Sequence, residues 1–430
     1  MTLCDLNHIL AAIGFNEGVD LHTQAVPQRR ILTILVIAQI LSGAGLAAGI
    51  TVGALLAQDV LESTSLAGVP AALFTVGAAL SAVAVGRISQ RRGRRVGLSV
   101  GYATGAVGSA GVVIAATIAS TPLLFGALLI YGAGMATNLQ ARYAGADLAT
   151  PERRGTAISI VLVATTVGAV IGPNTVTLTG DLAQFFSIPP LAGPFLLATV
   201  AYGVAALVLW IWLRPDPLLL ARTLPVEDEP PSGAAASVSW RGMVILGAAV
   251  MAVTQAVMIA IMTMTPIHMQ HHGHSLGATG VVIGLHVAAM YLPSPISGVL
   301  VDRYGTRPIA ALAAVTLVGA GIAAALSTSV VGLVVALMLL GLGWNLGLVS
   351  GTTMITAYSP LESRARIQGN VDLSITLAGA GGGFASGAVV AATSYTLLSV
   401  AGGILAMLVI PMLIFTKARN RSIPTSTRRV

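Results

Sequence analysis

Twelve apolar runs of helical length divide the chain, separated by short polar stretches. A helix needs about 20 mostly apolar residues to cross the hydrocarbon core of a bilayer, and every backbone amide must be satisfied inside it. Residues 31–57, 66–85, 96–119, 122–146, 157–178, 194–213, 240–265, 276–301, 309–327, 330–358, 371–392 and 395–415 meet that requirement. The pattern predicts an all-α membrane protein with twelve transmembrane helices. Between the sixth and seventh runs lies a stretch rich in Pro and acids, from Pro215 and Pro217 through Glu227, Asp228 and Glu229 to Pro231, with the composition of a flexible linker. The chain therefore reads as a tail (1–30), a six-helix half (31–213), a linker (214–239), a second six-helix half (240–415) and a tail (416–430).

Hydrophobic residues make up 55% of the chain and charged ones 9%, a balance that a soluble domain could not hide from water. All 22 Lys and Arg fall on one side of the predicted bundle, whereas the opposite loops carry the acids Asp59, Glu62 and Asp181. Basic residues are retained on the cytoplasmic side, so the expected topology puts both termini in the cytoplasm of a cell whose cytoplasmic membrane holds the chain. Topology accounts for the net charge of +7 without nucleic acid. The first 28 residues lack an apolar core with a small-residue cleavage site, and are expected to be a loose tail rather than a signal peptide. Cys4 is the only cysteine, which excludes an intramolecular disulfide and a thiolate metal site.

A ten-residue phrase occurs twice, from Gly86 to Arg95 and from Gly298 to Arg307, each time between two apolar runs. Gly86 aligns with Gly298, Gln90 with Asp302, Arg91 with Arg303, Gly93 with Gly305 and Arg95 with Arg307. The duplication continues in Pro151 to Arg154 against Pro360 to Arg364, and in Gly132 and Gly134 against Gly341 and Gly343. The phrase resembles the loop signature of the major facilitator superfamily, G-x-L-x-D-R-x-G-R-[RK], with Gln90 where the first copy should have Asp. The resemblance implies two pseudo-symmetric six-helix halves, each of two inverted three-helix units, with substrate bound between them. It also implies a gate built from Gly86, Arg91, Gly93, Arg95, Gly298, Asp302, Arg303, Gly305 and Arg307, together with Arg142 and Asp372. Asp302 is expected near the start of the fifth span, where an anion is favoured at a helix N-terminus. Gln90 is expected to be unable to play that part, with Asp372 supplying the missing charge to Arg91, Arg94 or Arg95.

Polar groups inside the membrane are costly and usually face a partner or a wet cavity. Gln39, Asn138, Gln140, Gln255 and Asn345 lie in the first helices of the four triplets, which line the central cavity in the superfamily. With Trp344 and His286 beside them, they are its expected surface; interhelical hydrogen bonding is the other reading. Asn174 in the fifth span stands apart. Two groups are candidates for proton coupling. His286 lies mid-span, where an imidazole with a partner could carry a proton, although a neutral hydrogen-bonded histidine is the plainer reading. Asp147 closes the fourth span five residues after Arg142; the resemblance implies an acid here paired with the arginines of the first phrase, and a gate salt bridge is the favoured reading over proton coupling.

The family pattern is incomplete. Leu128 stands where many proton-coupled drug exporters have Arg. The exporter signature G-x-x-x-G-P is present from Gly168 to Pro173, but Thr175 and Val176 replace the glycines that usually follow. Gly379, Gly383 and Gly387 recur every four residues and predict close helix packing. His268, His271, His272 and His274 on one outer loop could hold zinc or copper, but exposed loop histidines without Cys or carboxylates are the ordinary reading, and no metal site is expected. That loop, His286 and the run from Gly341 to Asn345 resemble a subgroup of bacterial multidrug exporters.

No G-x-x-x-x-G-K-[ST] phrase occurs, so an ion gradient is the default drive, and no cofactor is expected. The expected function is secondary active transport by alternating access: proton-coupled efflux of small amphipathic or drug-like compounds by a monomer in the lipid bilayer. The alternatives are a proton symporter importing a small organic solute and a membrane sensor that does not transport. No nucleophile, base and oxyanion set can be assembled, so the chain is not expected to be an enzyme.

Overall fold

A computed structural model describes residues 22–61, 69–224 and 240–421, and twelve helical spans are long and apolar enough to cross a bilayer. The first half comprises α1 (His22–Leu61), α2 (Val69–Arg92), α3 (Arg94–Thr117), α4 (Thr121–Ala146), α5 (Arg154–Asn174) and α6 (Gly193–Trp212). The second comprises α7 (Trp240–His271), α8 in two pieces (Leu276–Tyr291 and Ser294–Tyr304), α9 (Thr306–Leu326), α10 (Val330–Tyr358), α11 (Arg364–Ala392) and α12 (Tyr395–Met407). Large apolar side chains such as Leu80, Val107, Ile245 and Phe384 point outward, as expected when the solvent is hydrocarbon.

Helix ends follow local chemistry. Ser275, Ser329 and Ser394 cap α8, α10 and α12 by accepting first-turn N–H bonds from Ala278, Gly332 and Leu397. The run read as one eighth span is interrupted at Leu292 and Pro293, because Pro293 and Pro295 remove backbone donors from the helix. The fifth run likewise ends as α5 at Asn174, and a separate helix, Val176–Phe185, follows. α1 begins at His22, inside the stretch read as a tail.

The linker is not flexible from its start. Asp216 caps a short helix, Pro217–Thr223, by accepting N–H bonds from Leu218 and Leu219. Its other carboxylate oxygen accepts from the Arg95 N–H at 2.8 Å, which docks the segment on the start of α3. Residues 225–239 lie outside the described residues.

The duplication is visible in the packing. In the first half α1 packs on α5 and α6, α4 on α2 and α3, and α3 on α6; α7 to α12 repeat this plan. Between halves, α2 packs on α11 and the second piece of α8 on α5. Gly93 and Gly305, between α2 and α3 and between α8 and α9, both have φ of 88°. Only glycine adopts that backbone readily, which explains its recurrence in both phrases. Both phrases lie at the arginine-rich end of the bundle, termed the basic end below.

Candidate functional site

At the basic end each duplicated phrase grips the opposite half. Asp302, near the end of α8, accepts N–H bonds from Gly155 at 2.7 Å and Thr156 at 2.8 Å, and an O–H bond from Thr156 at 2.7 Å. It therefore covers orphan donors at the start of α5 with an anion. Gly298, one turn earlier, lets the helices touch: a Cβ there would lie 2.6 Å from the Gly155 carbonyl oxygen.

The first copy does the same with an amide, contrary to the expectation for Gln90. Its Oε1 accepts from the N–H groups of Ala365 at 2.7 Å and Arg366 at 3.3 Å, at the start of α11. Its Nε2 donates to the carbonyls of Glu362 at 2.8 Å and Leu361 at 3.2 Å. An uncharged acceptor suffices because the first-turn amides need a lone pair. Gln90→Leu should leave those groups unpaired and weaken closure by about 1–3 kcal/mol, whereas Gln90→Asp should keep it. Labelling of a cysteine placed at the α2–α11 contact would read the difference.

The other phrase arginines serve their own half. Arg95 lies over the Trp210 ring at 5.0 Å, Arg303 over Tyr304 at 5.6 Å, and Arg307 reaches Met243; Arg91 is exposed. The inward-facing residue is Arg94, which lies outside the expected gate set. Arg94 is fully buried and donates from Nε to Asp147 Oδ2 at 2.7 Å and from Nη2 to Oδ1 at 3.3 Å. It also crosses to Gln368 of α11, and Arg364 lies 4.0 Å from Asp147.

Deeper along α4, Arg142 does not pair with Asp147. Its Nη2 donates to Asp372 Oδ1 at 2.7 Å and to the Tyr143 hydroxyl at 3.0 Å, its Nε to Thr352 at 3.0 Å, and its Nη1 to the Leu139 carbonyl. Tyr143 donates to the same Asp372 oxygen at 3.2 Å. Asp372 thus serves Arg142 rather than Arg91, Arg94 or Arg95. Asp372 Oδ2 has no hydrogen-bond partner among the described residues. The ion pair is buried and ties α4 of one half to α11 of the other. Thr306 stands where the second copy would place the equivalent of Arg94, so the α11 side of the interface adds an ion pair to its Gln90 cap, whereas the α5 side is held by the Asp302 cap.

Most of the amides expected to line a cavity are used within one half. Gln39 donates to Thr165 at 3.0 Å and to the Asn138 carbonyl at 3.2 Å, and accepts from Tyr102 at 2.7 Å; Asn138 donates to Ser42 at 2.8 Å. Gln140 donates to the Ala82 carbonyl at 2.6 Å. Asn345 donates to Ser294 and to the Met290 carbonyl, both at 2.7 Å, and accepts from Ser297 at 2.6 Å. All four are buried, so interhelical bonding describes them better than a cavity surface. Gln255 differs: it is half-buried, accepts from the Trp344 indole at 2.6 Å, and packs against Gly379 of α11. Tyr291 meets Trp344 edge-on at 5.6 Å. Leu128 is a core residue, Gly383 faces Ile259, and Gly387 has open space beside it. The side chains of Pro173 and Asn174 lie outside the described residues.

His286 is buried within the second half, with Nδ1 2.8 Å from the Leu337 carbonyl. A carbonyl only accepts, so Nδ1 carries a proton there and the ring bonds α8 to α10. In the outer histidines, His268 Nε2 faces the Ser327 carbonyl at 3.3 Å, His274 Nε2 the Thr328 carbonyl at 2.6 Å, and His272 Nδ1 the His268 carbonyl at 2.8 Å; His271 is exposed. These contacts tether the end of α7 to the loop before α10. Among the described residues no three His, Cys, Asp or Glu side chains converge as a metal site.

The family model described as Major Facilitator Superfamily matches residues 35–292 and 244–429. The MFS-type transporter YdeG of Bacillus subtilis is 54% identical over 398 residues, covering 91% of this chain and 93% of its own. The riboflavin transporter RfnT of Brucella anthropi is 31% identical over 404 residues, covering 93% and 98%. Among solved structures, the human organic anion transporter MFSD10 superposes with a TM-score of 0.69 at 18% identity, covering 90% of this chain and 99% of that one.

Proposed function

The chain belongs to the major facilitator superfamily, and from that premise we propose that it is a proton-coupled transporter of small amphipathic organic compounds working by alternating access. It is a transporter rather than an enzyme. The one-sided arginines support an orientation with the basic end and both termini in the cytoplasm of the cell membrane. In that orientation the contacts at the basic end correspond to an outward-facing state. One chain supplies both halves, which supports a monomer as the working unit.

The carrying observation is the buried Arg142–Asp372 pair between the halves, with Asp372 Oδ2 free to accept a proton. Protonation removes the charge that holds α11 to Arg142, so loading from the open side loosens the closed side. Asp147 and His286 rank behind Asp372 as coupling groups. Asp147 is held by two of the three Arg94 nitrogens, and His286 bonds within one half. A small organic solute as substrate is supported by the likeness to a riboflavin transporter over nearly the full chain, and uptake with protons is the first reading of its direction. Efflux against proton entry is the second reading, supported by the exporter-type run from Gly168 to Pro173.

The test uses proteoliposomes with an imposed pH gradient and a panel of amphipathic substrates, read separately as accumulation and as gradient-free exchange. Asp372→Asn is expected to abolish accumulation and retain exchange, while His286→Ala retains both. Full accumulation by Asp372→Asn, with loss in Asp147→Asn or His286→Ala, would overturn the assignment.

A further inference from the structure

Arg142 is a buried cation placed where both halves meet, and its surroundings suit an exchange of partners. Two of its nitrogens are anchored to α4 and α10 through Leu139 and Thr352, leaving Nη2 for Asp372 and Tyr143. Its guanidinium covers the Tyr143 ring at 4.3 Å. A planar fork of this kind accepts a second carboxylate or similar anion in the same geometry as the first.

A second polar point lies farther along the same two helices. Thr352 and Trp344 are eight residues apart on α10, roughly 12 Å at 1.5 Å per residue. Asp372 and Gly379, which carries Gln255 against it, are seven residues apart on α11, roughly 10 Å and nearly one face. Aromatic side chains adjoin both points: Tyr143 at the ion pair, and Trp344, in edge contact with Tyr291, at the amide. The spacing fits a flat molecule of two or three fused rings, with an anionic group at one end and a hydrogen-bonding group at the other.

We infer that Arg142 binds the anionic group of an elongated aromatic substrate, that this group displaces Asp372, and that Asp372 then takes up a proton. The inference rests on the coupling role given to Asp372 above. Displacement would leave an uncompensated buried carboxylate, a strongly unfavourable state, so Asp372 takes one proton from water on the open side, at Oδ2. One anion and one proton enter together and the charge of the site is unchanged. The groups that face Asp372 are Arg142 and Tyr143 from α4 and, farther off, Arg94 from α3, itself neutralised by Asp147. α2 packs on α11 through Gly86 and Gln90, α7 through Gln255, and α10 reaches the pair through Thr352, all uncharged. Because each ligand favours the other, the linkage has the sign of cotransport: affinity rises as pH falls.

The test measures binding to the full-length protein in lipid nanodiscs, without a gradient, by tryptophan fluorescence and by proton uptake in weak buffer. The probes are 6-hydroxy-2-naphthoate, its uncharged amide, and benzoate. The hydroxynaphthoate is expected to bind with uptake of about one proton and to weaken up to tenfold per pH unit as pH rises. The amide and benzoate should bind at least tenfold more weakly. Arg142→Gln should lose binding by a hundredfold or more, while Gln255→Leu should lose only the preference for the hydroxyl. Asp372→Asn should bind as tightly or more tightly, without proton uptake. If Arg142→Gln fails to fold, Arg142→Gln/Asp372→Asn removes both charges and should also fail to bind. Equal binding of acid and amide, or binding that survives the loss of Arg142, overturns the site even if proton uptake persists. Arg142-dependent binding of the acid with no proton uptake overturns the exchange with Asp372, and the coupling role with it.

Discussion

Arg94→Leu is expected to destabilise the protein severely, lowering its melting temperature in detergent and its yield from the membrane. Arg94 is fully buried, holds Asp147 through two nitrogens and reaches Gln368 in the other half. Without it the buried Asp147 carboxylate keeps only Arg364, at 4.0 Å. Removing one member of a buried pair typically costs about 3–5 kcal/mol because the other charge stays desolvated. Asp147→Leu should be similarly damaging, since Arg94 then lacks its carboxylate. The double variant Arg94→Leu/Asp147→Leu should recover much of the loss, because a buried pair is worth far less in net terms than either unpaired charge costs. Thermal melts of the four proteins, followed by size-exclusion chromatography, give the cycle. A double variant no more stable than the singles would show that the contacts to α11, rather than charge compensation, are what matter.

What could be read from the sequence and what could not have separate physical causes. Run length and the bilayer's demand for satisfied backbone settle the twelve spans, and the repeated glycines mark positions with backbone reasons: Gly298 for close approach, Gly93 and Gly305 for positive φ. Helix phase is another matter. A span that is apolar all round carries no amphipathic stripe, so nothing in the sequence distinguishes Gln39 facing a cavity from Gln39 facing Thr165. The same gap hid Arg94 among Arg91, Arg92 and Arg95, although its place directly after Gly93 at the first turn of α3 is a usable signal. For Gln90, charge was weighed where acceptor geometry decides. Asp372 pairs with Arg142 instead of the expected Arg91, Arg94 or Arg95: pairing across the halves depends on the register of α4 against α11, which no local pattern records. Tyr143 and Thr352 carry no signal beyond being polar in apolar spans, and Gln368 lies just before the eleventh run. The breaks at Pro293 and Thr175 were legible in principle, because proline inside a helical run removes a donor.

Gly86→Leu and Gly298→Leu should each hold the basic end open and depress transport, by preventing the halves from meeting. A Cβ on Gly86 would lie 2.8 Å from the Ala365 carbonyl oxygen and 2.9 Å from the Gly369 Cα; one on Gly298 would lie 2.6 Å from the Gly155 carbonyl oxygen. All three are backbone atoms of helices packed on their other sides, so no side chain can swing away. Overpacking of this kind costs about 1–3 kcal/mol, and borne by the closed state alone it shifts the open-to-closed ratio about 5- to 150-fold. Gly305→Ala is the contrast: its φ of 88° resists a side chain, but nothing lies within 4 Å of the added Cβ. It should lower stability and leave the conformational ratio alone. The reporter is Ser359→Cys, placed at a buried position beside Arg364, in a background where Cys4, the only native cysteine, is replaced by serine. Membrane-impermeant maleimide offered at the basic end should label that thiol faster in Gly86→Leu and Gly298→Leu than in the parent, and no faster in Gly305→Ala. Equal rates in all four proteins would mean that the glycine contacts do not control closure.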